Sequence, residues 1–157
     1  MTWLNIYILF VLVLVLAVQF FYRFSSGRLA VFFGKFKFQI FLRVIWFLSV
    51  ILIFGTFLYW SVLQYHLWQS SEGFTKYLLP PYQSIGYFLS YVGTRFFSPW
   101  ILALLASFLV SRAAKFLNRR FGERFFEPEE IELIALGVFL TGYPGFLIYL
   151  SLILVLG

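Results

Sequence analysis

Residues 2–22 carry no charged side chain, and this run constrains the chain more than any other feature. At 1.5 Å per residue a helix of that length covers about 30 Å, the thickness of a bilayer's hydrocarbon. No basic region precedes the run, it is too long for the apolar part of a signal peptide, and no small-residue cleavage pattern follows. It therefore reads as an uncleaved transmembrane helix. Further apolar stretches lie at about 44–63, 84–110 and 133–157. Only 11% of the residues are charged and 62% are hydrophobic, whereas a soluble domain carries about 25% charged residues. The apolar surplus has to face lipid. The predicted fold is all-α: a polytopic integral membrane protein with a bundle of about four transmembrane helices, one membrane domain over 1–157, loops at 23–43 and 111–132, and an interfacial helix in the first loop.

Irregularities mark two of the spans. Arg95 and Pro99 interrupt 84–110, which is about 40 Å long if helical. Two arrangements fit: one tilted, kinked helix, or an interfacial segment over 81–97 followed by a short span. In the last stretch Thr141-Gly142-Tyr143-Pro144-Gly145 breaks the apolar text, and Pro144 would clash with the carbonyl of Leu140.

Basic residues set the expected orientation. Arg23, Arg28, Lys35, Lys37 and Arg43 fall in the first loop, and Arg112, Lys115, Arg119, Arg120 and Arg124 in the third, which together hold ten of the 12 positive charges. The positive-inside rule places both loops in the cytoplasm and, with four spans, both termini outside. Eight of the 15 Tyr and Trp residues lie between Tyr59 and Tyr91, which agrees with an outer aromatic belt. The membrane thus accounts for the basic excess, and no nucleic-acid partner is implied. A bacterial or archaeal cytoplasmic membrane is the expected location.

The chemistry-bearing residues are few. Cysteine is absent and all six acids are glutamate, which removes disulfides, thiolates and aspartyl mechanisms. His66 stands alone in a polar loop, so no metal site is expected. The stretch from Asn118 to Glu132 is the most distinctive. Glu127 and Glu130 beside arginines suggest an acid/base or metal centre, but a structural reading is preferred. Pro128 fits the first position of a helix, with Glu129 and Glu130 in its first turn at the positive end of the dipole, and Arg119 with Glu123 fits an i, i+4 pair.

Arg95 is the one ionisable residue expected at membrane depth, and it shares a helical face with Tyr87 and Tyr91; an interfacial anchor and a buried polar site both fit. Gly137, Thr141 and Gly145 form a small-residue stripe suited to close helix packing, while a discontinuous helix at 141–145 would suit an ion or substrate site in a transporter. In the first loop, residues 32–41 mix Phe with Lys and Gln, as a connector lying on the membrane surface would.

From Ser84 onward the order of features resembles the carboxyl half of prepilin peptidases, the membrane aspartyl proteases that process type IV pilin precursors. That family runs from an apolar span through a basic loop to a Gly-x-Gly-Asp motif, then to an apolar stretch with a Gly-Trp/Tyr-Pro-like turn. Here Phe121-Gly122-Glu123 leads to Glu127-Pro128-Glu129-Glu130, then to Gly137 and Gly142-Tyr143-Pro144-Gly145. Glu130 stands at the aspartate position, both motif glycines are replaced, and no second aspartate exists. The resemblance therefore implies a relative without the catalytic pair, and it transfers no catalytic residue.

With no nucleophile–base pair, phosphate loop or cofactor motif in the text, the expected role is non-catalytic. The chain reads as an integral membrane protein acting by helix packing, as a subunit or scaffold of a membrane complex, with the bilayer and a protein partner or a second copy as its contacts. A transporter or channel component using Arg95 and the broken last helix is the alternative, and a degenerate prepilin-peptidase-like protein is another.

Overall fold

The computed structural model describes residues 2–24, 38–122 and 125–156. Among them the elements are all helical: α1 (Thr2–Phe24), α2 (Phe38–Gln69), a 3-10 turn (Phe74–Leu78), α3 (Ile85–Val92), a π turn (Gly93–Phe97), α4 (Ser98–Arg120), α5 (Pro128–Thr141) and α6 (Gly145–Leu156). The chain is an all-α helical membrane bundle in which α1, α2 and the continuous stretch Ile85–Arg120 are long and apolar enough to cross a bilayer. Residues 32–37 of the expected surface connector over 32–41, and Glu123 of the expected Arg119–Glu123 pair, lie outside the described residues, while residues 38–41 begin α2.

Helix α2 runs well past the expected span of 44–63 at both ends. No breaker interrupts it before Ser70-Ser71-Glu72-Gly73, so the first residues of the predicted polar loop continue the helix. The extension has a packing role. Trp68 is buried and meets Phe88 edge-on at 5.4 Å and Tyr91 at 4.8 Å; with Leu79 and Val92 these residues close one end of the bundle.

Of the two arrangements open for 84–110, the structure has the continuous helix. Its irregularity is absorbed in the π turn at Gly93–Phe97. Pro99 has no N–H for the carbonyl of Arg95, and a locally widened turn accommodates the loss. The same turn directs two successive rings at α2: Phe96 stacks on Phe57 at 6.3 Å, and Phe97 sits 6.0 Å from Phe54.

Helix α5 is the centre of the molecule. Ile131, Ala135, Leu136, Val138, Phe139 and Leu140 are buried, and the helix packs chiefly against α4 and α2. A helix apolar on all sides needs such a surround of protein or lipid. Phe139, fully buried, lies between Trp46 at 6.0 Å and Trp100 at 5.8 Å.

The stretch 133–157, expected as a fourth span, is two helices folded back on each other. A Cβ built on Gly137 would overlap the ring and hydroxyl of Tyr149. At the open end of the pair, Glu130 and Leu133 line the same groove as Ile153 and Leu154. Thus α5 and α6 form an antiparallel hairpin whose tip is Gly142-Tyr143-Pro144. The physical reason is local: Gly142 adopts φ 63°, ψ 175°, a region that only glycine occupies without strain, and Pro144 ends the ladder. From Glu132 to Thr141 the first arm rises about 14 Å, half the hydrocarbon thickness. Irregular backbone at such depth has to be covered by protein; Gly142 is buried, and a Cβ built on it would lie 3.5 Å from the Trp100 ring. Gln19, near the far end of α1, lines the groove with Leu154, so these ends of α1 and α6 lie at the same end of the bundle.

Candidate functional site

The polar centre of the molecule is Glu132, at the mouth of the hairpin. Its Oε1 accepts from Arg43 Nε at 3.0 Å and from Lys115 Nζ at 3.1 Å, which joins α2, α4 and α5 at one atom. The carboxylate is 11% exposed, whereas Arg43 and Lys115 are 49% and 40% exposed. The two cations therefore keep most of their hydration while the acid gives up its own, and water screens each contact.

Below this triad the helices are joined by neutral groups. Trp46 Nε1 donates to Ser107 Oγ at 3.1 Å, and Ser107 Oγ donates to the Ala135 carbonyl at 2.7 Å, so a second chain of contacts links α2, α4 and α5. Asn118 holds the segment entering α5: its Nδ2 donates to the Phe126 carbonyl at 2.5 Å, and the Phe126 N–H donates back to Oδ1 at 3.0 Å. An asparagine so placed imitates a strand partner and satisfies both backbone groups. About one turn further along α2 from Trp46, Tyr7 Oη and Ser49 Oγ share a hydrogen bond of 2.9 Å between α1 and α2.

The predicted candidates occupy three separate places. Pro128 opens α5 with Glu127 at its N-cap, and Glu130 Oε2 accepts from the Glu127 N–H at 3.0 Å. That is the return bond of a capping box, and Glu130 is spent on it. Arg95 is exposed on the π turn, with its guanidinium 5.9 Å from the centroid of Tyr91. The neighbouring Phe96 packs on Trp60 at 6.2 Å, which sets Arg95 about 26 Å along the helices from the Arg43 level. The small residues Gly137, Thr141 and Gly145 do not form one stripe. Gly137 receives Tyr149 of the returning arm, Thr141 Oγ1 bonds back to the Gly137 carbonyl at 2.9 Å, and Gly145 starts the other arm, where an added Cβ would lie 3.4 Å from the Thr141 Cβ.

Sequence reasoning gave no individual role to Glu132, Asn118 or Ser107, although Asn118 and Glu132 bound the stretch it marked as most distinctive. Glu132 has one local signal: it sits one residue after buried Ile131 and three before buried Ala135, on the margin of an apolar face rather than in the solvated first turn. Its partners, at positions 43 and 115, are too distant in the chain for any spacing rule to reveal. No family model, curated protein or solved structure matches the chain.

Proposed function

We propose that this protein is a non-catalytic integral membrane protein that works through helix packing, as a subunit or scaffold of a membrane complex. The observation that carries the reading is what its polar side chains do. Glu132, Ser107, Asn118 and Glu130, which would be the first choices for acid/base or nucleophilic work, each hold one backbone or helix to another. Among the described residues, every buried side-chain nitrogen and oxygen has a hydrogen-bond partner, and a satisfied polar set rigidifies a bundle. The proposed orientation has the end bearing Arg43, Lys115 and Arg119 in the cytoplasm, with the Trp3 end of α1 outside. Purification of the full chain in mild detergent followed by mass measurement tests the reading. A stable complex with a second protein or a second copy supports it, and a monomer under all mild conditions contradicts it.

The hairpin favours a second reading, as a transporter or channel component. Its tip lies near half-depth, where discontinuous helices in transporters place their binding groups. Arg95→Ala should then abolish a measurable flux at unchanged expression, and unchanged flux would end this reading. Under the prepilin-peptidase resemblance, Glu130 is the residue to test. Its engagement with the Glu127 N–H supports a capping role, and an activity lost in Glu130→Gln would argue for the enzyme instead.

A further inference from the structure

Beside the Glu132 triad, on the side facing out of the bundle, α2 and α4 enclose a cavity of about 170 Å³ lined by Arg43, Ser111, Arg112, Lys115 and Glu132. At roughly 30 Å³ per water this is room for about five waters, the bulk of a phosphodiester group. Three cations face one carboxylate there, so the cavity keeps a net positive charge after Glu132 is neutralised. The donors are also incompletely used. Arg43 commits Nε to Glu132, which leaves its terminal amino groups without a partner among the described residues. Arg112 has no carboxylate partner among them; its guanidinium carbon lies over the Phe108 ring, 4.9 Å from the centroid, a cation–π contact that uses none of its N–H donors on an acid.

We propose that this cavity binds the phosphate headgroup of an anionic membrane lipid. Arginine forks match phosphate oxygens in bidentate geometry, and basic pockets between transmembrane helices suit such headgroups. The apolar walls argue for lipid over a soluble anion. Phe47 and Phe108 flank the cavity and are 61% and 52% exposed on helices that cross the membrane, so a headgroup on the cations would run its acyl chains along these rings.

The test is native mass spectrometry of the full chain purified in mild detergent, with equal phosphatidylglycerol and phosphatidylcholine added. The wild type should retain phosphatidylglycerol preferentially, and Arg112→Gln should reduce that preference about fivefold, the effect of roughly one interfacial cation. Arg95→Gln, at the far end of the bundle, should leave it unchanged. Equal retention of the two lipids by the wild type would overturn the proposal without reference to any variant. So would an unaltered preference in a folded Arg112→Gln protein, and displacement of the lipid by millimolar inorganic phosphate would assign the cavity to a free anion instead.

Discussion

Gly137 and Tyr149 occupy a single packing position: the tyrosine hydroxyl and ring fill the space that a side chain at residue 137 would take. The contact holds the two arms of the hairpin together, because small residues let helices approach where lipid provides no hydrophobic drive between them. Gly137→Ala should therefore destabilise the fold by about 1–3 kcal/mol, as overpacking does. Adding Tyr149→Ala should recover part of that loss, since it vacates the space. Thermal unfolding in detergent of the two single variants and the double variant measures the coupling; strictly additive losses would show that the residues do not compete for space.

Glu132→Gln should lower stability more than Arg43→Gln. Removal of the acid leaves Arg43 and Lys115 without their shared partner, whereas loss of Arg43 leaves the acid paired with Lys115. Both cations are more than a third exposed, so water screens the penalty and about 1 kcal/mol is expected for the acid. Raised salt should narrow the gap between the variants, because it screens charge contacts at an exposed boundary. Detergent melting curves at low and high ionic strength would show this, and a gap indifferent to salt would assign the effect to packing.

Asn118→Leu should free the segment before α5 without unfolding the bundle. Two backbone groups of Phe126 lose their partners, at about 1–3 kcal/mol for the pair left unsatisfied. Hydrogen exchange should accelerate at residues 125–127 while the Trp46 and Trp100 regions stay protected. Equal acceleration throughout would mean that Asn118 supports the whole fold.

Gly142→Ala should cost about 1–3 kcal/mol whatever space surrounds it, because φ 63° with ψ 175° strains any residue with a Cβ. The effect should appear as a lower melting temperature. A neutral substitution would show that the hairpin tip can take another backbone conformation.

The parts of this fold that sequence could reveal are those set by local rules. Pro128 and Glu130 mark the start of α5 through N1 and capping preferences. Pro144 marks the break, and the i, i+4 spacing of Tyr91 and Arg95 anticipates their contact. The reversal of direction was not legible. Residues 145–156 are apolar on all sides, so their periodicity carries no information about which face they bury or which way they run; the backbone of Gly142 and the fit of Tyr149 over Gly137 decide it. Glu132 was hidden for a related reason. Its role exists only once α2 and α4 stand side by side and bring positions 43 and 115 to one oxygen.

The central structural claim is the hairpin, and the chain's lack of cysteine makes it directly accessible to paired labels. Spin labels at Phe126→Cys and Leu154→Cys, residues that line one groove, can be measured by double electron–electron resonance in lipid nanodiscs. The hairpin predicts a single distribution centred below about 20 Å, whereas a continuous helix over the same residues would separate the labels by about 42 Å at 1.5 Å per residue. A distribution centred near the longer distance would contradict the account.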